Sequence, residues 1–221
     1  FALFIGIESP DPATLTAMQK KQNTRRNLVE NIHRLYDYGM FVTAGFILGF
    51  DSEKGSVADP MIELIERAAI PVAMVGLLYA LPNTQLTRRL TGERRLFEGF
   101  DTHPENSGDQ CSRGLNFITA RDRRSILEDY HRVITRIYEP DAYLRRVESM
   151  IARLSWARSP HQFPVGDPRR RKDIEAVERV VNCRPDLREQ FAATFARCYK
   201  TNPAAVRQVV ALLAIYLHLG S

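Results

Sequence analysis

The chain has 221 residues, 44% of them hydrophobic, and 31 Lys and Arg against 26 Asp and Glu give a net charge of +5. That is enough for one large domain or two small ones, and no apolar run reaches the roughly 18 residues a membrane helix needs. Three cysteines, at 111, 183 and 198, are an odd number without a close pair; they argue against a disulfide framework and for a reducing compartment, the cytoplasm. No secretory signal shows in the sequence. The charge is uneven: residues 1–100 carry 11 basic and 11 acidic side chains, residues 101–221 carry 20 and 15. An Arg-rich second half suits an acidic neighbouring domain or solvent, and nucleic acid is the disfavoured partner.

In chain order, Phe1–Glu8 is a short, almost wholly apolar run, as a strand buried on both faces requires. Pro10, Asp11 and Pro12 break it, and Thr14–Met18 suits a helical turn. Asn23 or Thr24 can cap a helix from about Arg25 to Tyr38, with Leu28, Ile32, Leu35 and Tyr36 as its stripe and Gly39 as its stop. Phe41–Phe50 reads as a second strand, Val57–Ala69 as a second helix, and Val72–Leu81 as a third strand opened by Pro71. Pro82-Asn83-Thr84 turns into a short helix at Gln85–Leu90. Three β-α units in succession predict a parallel sheet. Three strands are too few to close a barrel, and their exposed edge needs further strands as partners. With Phe1 already inside a strand, the chain reads as the C-terminal part of something longer.

From about Gly92 to Asn116 the pattern dissolves into Gly, Pro, His, Asn and Asp, as in a loop. Beyond Thr119 the periodicity is helical: Arg121–Tyr138, Asp141–Trp156, then roughly Lys172–Val181, Asp186–Tyr199 and Ala204–Leu217. Pro140, Pro185 and Pro203 stand where helices begin. The fold class is therefore α/β followed by all-α. The division is 1–98, a connecting loop at 99–120, and a helical domain at 121–221.

Parallel β/α folds bind ligands over the carboxyl ends of their strands. Glu8, Asp51 and the Leu81-Pro82-Asn83 turn fall there. A carboxylate so placed accepts two hydroxyl hydrogen bonds, the pattern a ribose presents, or else caps its own following helix. Gly45 and Gly49, four residues apart in one strand, are expected on the same face. Interior glycines mark close approach of a flat ring or of a packed helix.

Gly-Ile-Glu-Ser at 6–9, Lys-Lys-Gln-Asn-Thr at 20–24, Gly-Phe-Ile-Leu-Gly-Phe-Asp at 45–51 and Leu-Pro-Asn-Thr at 81–84 together resemble the second half of a radical S-adenosylmethionine enzyme. They are most similar to the branch with a cobalamin-binding domain in front. The resemblance spans about residues 1–92 and implies strands four to six of a partial (β/α)6 TIM-like barrel. It implies S-adenosylmethionine, a four-iron cluster and, in this branch, cobalamin as cofactors. Carried over position by position, Glu8 matches the ribose-contacting acid and Lys20 the residue pairing with the methionine carboxylate, with Lys21 a close second. Gly45, Ile47 and Gly49 match the adenine-side strand, and Leu81 and Pro82 the strand that closes over the base. The longer form of that pattern has Glu three residues past its second Gly; here Ser52 stands there and Glu53 follows.

The hallmark Cys-x-x-x-Cys-x-x-Cys is missing, so the cluster ligands are expected outside this chain. Gly-Leu-Asn-Phe at 114–117 and Ile-Tyr-Glu-Pro-Asp-Ala-Tyr at 137–143 resemble a C-terminal extension found in hopanoid-methylase-like members. A segment crossing the barrel mouth brings His103, Asp109, Cys111 and Asn116 within reach of a substrate. The implied activity of the full-length protein is hydrogen abstraction, extending to C-methylation, on an unknown substrate. The upstream half of the same protein is the expected partner. The alternatives are a cobalamin-independent relative, methylthiotransferase-like or cyclase-like, and a non-enzymatic basic helical module that binds nucleic acid or a partner.

Overall fold

The computed structural model describes residues 2–17, 27–97, 114–155, 175, 178, 179 and 182–219. Strands β1 (Ala2–Glu8), β2 (Phe41–Leu48) and β3 (Val72–Leu77) form a three-stranded parallel sheet in the order β1-β2-β3. Gly6 pairs with Gly45 and Gly45 with Met74, so the register runs level across the sheet. Both later strands end sooner than predicted. Gly49, at φ +102°, turns the chain out of β2, and past Leu77 the ladder passes to Leu78, whose N–H donates to Leu48 O at 2.8 Å.

The connections are α1 (Pro12–Ala17), α2 (Leu28–Asp37), α3 (Ala58–Arg67) and α4 (Gln85–Gly92). Asn27 caps α2, its Oδ1 accepting the Glu30 N–H; the predicted caps Asn23 and Thr24 lie outside the described residues. Gly39, at φ +77°, ends that helix, because the left-handed region costs glycine nothing. Thr84 caps α4 through the Thr87 N–H at 3.2 Å.

The second half is helical. Helices α5 (Arg123–Ile137), α6 (Pro140–Arg153), α7 (Arg188–Thr201) and α8 (Val206–Leu219) follow one another, the last two each led in by a 3-10 turn at Pro185–Leu187 and Pro203–Ala205. Each proline sits where its missing N–H would have no partner anyway. Most of the predicted 172–181 helix lies outside the described residues.

Alternation along β2 builds the core. Val42, Ala44, Phe46 and Leu48 are buried and share a face with Ile7, Ala73, Val75 and Leu77. Ile32 and Tyr36 of α2, Met61 and Ile65 of α3, and Val133 and Ile137 of α5 join the same cluster, which continues into α6, α7 and α8. At about 25 cal/mol per Å², each buried Val, Leu, Ile, Phe or Met among them contributes roughly 1.5–3 kcal/mol. The opposite face is bare by comparison: Phe4 is 56% and Met74 53% exposed.

The two sheet edges differ. Along β3 the helical half supplies the missing partners. Tyr138 Oη donates to Ala73 O at 2.8 Å and accepts its N–H at 3.3 Å. Leu115 N donates to Leu78 O, and the Asn116 amide takes both polar groups of Ala80, at 2.8 and 3.2 Å. Along β1 no strand among the described residues pairs with the outer edge.

Candidate functional site at the carboxyl ends of the strands

The polar residues of the first half gather at one end of the sheet. Glu8 closes β1, where the register slips from Gly6–Gly45 to Glu8–Phe46, and its backbone stands at φ +71°. A side chain with a Cβ pays for that left-handed conformation, so the carboxylate is aimed by the bulge and not by regular strand geometry. Next to it, an added Cβ at Gly45 would stand 2.9 Å from Phe4 Cζ, so the strand is flat enough there for an aromatic ring to lie across it. Ile47 pairs with Gly76 on that same face. Leu81 and Pro82 are exposed, in the turn beyond β3, where Leu81 O accepts the Thr84 hydroxyl at 2.8 Å.

Gly49 does not share the face of Gly45, contrary to the four-residue spacing. An added Cβ there would sit 2.6 Å from Leu115 Cδ2 and 3.7 Å from Ile126, so it faces the helical half. Glu8, Gly45, Ile47, Leu81 and Pro82 thus share one end of the sheet, while Gly49 serves its support. Lys20, Lys21, His103, Asp109 and Cys111 lie outside the described residues. Asn116 is buried and spends its amide on Ala80, which takes it away from any substrate.

Two ion-pair networks hold the loop that follows β2. At its outer side Asp51 takes Arg95 through both oxygens, at 2.6 and 2.8 Å, and Arg89 at 2.8 Å. The Arg95 hydrogen bonds hold the Asp51 carboxyl below its ordinary value despite partial burial. At its inner side Glu53, 3% exposed, accepts the N–H groups of Gly49 and Phe50 at 3.0 and 3.2 Å on one oxygen. Its other oxygen meets Arg121 at 2.9 Å, and Arg121 also reaches Asp129 at 2.7 Å. Asp129 accepts the Ser56 hydroxyl at 2.6 Å. Burial pushes the Glu53 carboxyl up, against the pull of its hydrogen bonds. The position that the sequence pattern left unresolved is therefore filled: Glu53, one residue late, folds back onto the amides of its own turn. Its partner Arg121, and the Asp129 that Arg121 also holds, had no signal in the sequence, being 68 and 76 residues away along the chain.

Cys198 is buried, its thiol pushed up to about 12 by burial, and Cys183 is exposed. Among the described residues no group of three His, Cys, Asp or Glu could hold a metal ion, and no helix is long and apolar enough to cross a membrane.

Two curated proteins are similar. An uncharacterized methyltransferase of Synechocystis sp. is 31% identical over 217 residues, 96% of this chain and 39% of its own length. The hopanoid C-2 methylase of Rhodopseudomonas palustris is 33% identical over 150 residues, 68% of this chain and 26% of its own. The chain thus spans well under half the length of either relative. No solved structure matches it. The family model that does match covers residues 84–221, from the cap of α4 to the C-terminus, and by that match the chain belongs to the family described as Domain of unknown function (DUF4070).

Proposed function

We propose that this chain is the C-terminal part of a radical S-adenosylmethionine methylase of the cobalamin-binding branch. On this reading residues 1–98 are the second half of the partial barrel, 99–120 the connecting segment and 121–221 a helical domain. The full-length protein works in the cytoplasm on an unknown substrate. The observation that carries the reading is Glu8: a carboxylate fixed by a left-handed bulge at a strand end, beside the flat Gly45 strand. That such a site occurs in a chain whose relatives are named methyltransferase and methylase supports it.

The residues present fit one part of the implied cofactors and not another. A carboxylate at a strand end can accept both hydroxyls of a ribose diol, and a strand over which an aromatic ring already packs suits a purine. An iron–sulfur cluster has no ligand set among the described residues, and no step is assigned to this chain through it. When bound, S-adenosylmethionine with its cluster supplies radical chemistry, and cobalamin a methyl group. This chain's residues bind the nucleoside, orient it and exclude water. Glu8 accepts the hydroxyls, Gly45 and Ile47 form the wall beside the base, and Leu81 and Pro82 close over it, while Lys20 pairs with the methionine carboxylate. The outer edge of β1 receives the upstream half of the same protein.

The test is S-adenosylmethionine binding by the full-length protein, measured by equilibrium dialysis. Glu8→Gln should weaken it about tenfold, as losing hydrogen bonds to a charged acceptor does. Wild-type protein that binds no S-adenosylmethionine sinks the proposal.

A further inference from the structure

Arg121 stands just ahead of α5. It reaches 68 residues back along the chain to Glu53, whose other oxygen holds the N–H groups of Gly49 and Phe50. Those two amides belong to the turn that ends β2, the strand of Gly45 and Ile47. The same guanidinium is tied to Asp129, and Asp129 to Ser56 at the far end of the loop. One partly buried cation therefore grips the β2–α3 loop at both ends. Around it, Leu115 packs within the space a Cβ at Gly49 would need.

A second clamp joins the two halves at the opposite end of the sheet. Arg146, 1% exposed, donates to Ile70 O at 2.8 Å, to Glu66 at 2.5 Å and to Ile137 O. Ile70 precedes β3, so this contact lies at the amino end of the strands, away from Glu8. Both arginines tie residues far apart in the chain, Arg121 through two carboxylates and Arg146 through one carboxylate and two carbonyls. They differ in which end of the sheet they hold.

We infer that Arg121 is a positioning residue for the nucleoside site: the helical domain uses it, through Glu53, to set the β2-end turn against which the cofactor lies. This inference rests on the reading of the sheet end as an S-adenosylmethionine site, and it gives the helical domain a share in that site. A guanidinium suits the task because its planar fork can serve two carboxylates at once while remaining charged.

The test uses full-length protein with four variants: Arg121→Met, Glu53→Gln, the two combined, and the control Arg146→Lys. Two readouts are taken: hydrogen exchange of the peptide spanning residues 49–53, and S-adenosylmethionine affinity by equilibrium dialysis at a temperature where each variant is folded. Arg121→Met should speed exchange in that peptide and weaken binding about tenfold, as the loss of a charged hydrogen bond does. Combining Arg121→Met with Glu53→Gln should weaken binding no further than the stronger single change, because both act through one contact. Arg146→Lys should lower the melting temperature and leave affinity within twofold. Unchanged exchange at 49–53 in Arg121→Met overturns the inference. So does faster exchange with unchanged affinity, which leaves Arg121 a stability clamp only. Wild-type protein that binds no S-adenosylmethionine overturns the parent reading, and this one with it.

Discussion

Asp51 shows how little of the strand-end chemistry is free for a ligand. Its carboxylate carries two arginines, and it is held below the ordinary Asp value of 3.8 chiefly by the Arg95 hydrogen bonds. A depressed carboxylate stabilises the fold above its unfolded pKa and loses that contribution as pH falls through the folded one. Asp51→Asn should therefore cost about 1.5–3 kcal/mol at pH 7. The cost should begin to shrink as pH drops below 3.8, where the unfolded carboxylate takes up a proton, and be lost as pH falls through the lower folded value. Denaturant titrations of both proteins at pH 7 and pH 3 check this, and a cost independent of pH would refute it. Asp51 and Glu8 look alike in the sequence, each an acid after an apolar run. Asp51 is taken up by Arg89 and Arg95, which only the return of α4 and the segment after it brings near. Glu53 tells the same story: its type and neighbourhood were legible, but its partners lie across the fold.

At the scale of elements, most of the fold could be read directly. Periods of 2 and 3.6, with Gly39, Pro140, Pro185 and Pro203 as punctuation, place strands and helices within a few residues. The ends of β2 and β3 were not legible, because they are set by contacts with the segment 114–117. Gly114 makes this concrete. A Cβ there would stand 2.1 Å from Leu77 Cβ and 2.7 Å from Leu77 O, so two backbones pass with no room for a methyl group. Gly114→Ala should destabilise the protein by about 2–3 kcal/mol, as overpacking at an unyielding contact does. Thermal melts can measure it; a variant as stable as the wild type would mean that the 114–117 segment does not seal the end of β3. In the sequence Gly114 is one more glycine in a polar stretch, and its spacing says nothing of Leu77.

For the whole molecule the relevant asymmetry is between the two edges of the sheet. Tyr138, Leu115 and Asn116 occupy backbone groups of β3 and the residues just after it, while among the described residues no strand pairs with the outer edge of β1. Strand-by-strand polymerisation needs two open edges per copy, one to add and one to be added to. A sheet sealed on one side has a single growing end. When two such ends meet about a two-fold axis, the contact is closed and nothing is left to extend. Isolated residues 1–221 should thus associate edge to edge as a dimer and go no further, and Leu3→Lys at the open edge should return it to a monomer. Sedimentation velocity over a hundredfold range of concentration reads this directly. A ladder of higher species, or a wild-type monomer throughout, would count against it. The Tyr138 hydroxyl and the Asn116 amide then have a role beyond the stability of one copy: they are terminators, and they turn a surface that could seed a fibre into one that accepts a single neighbour.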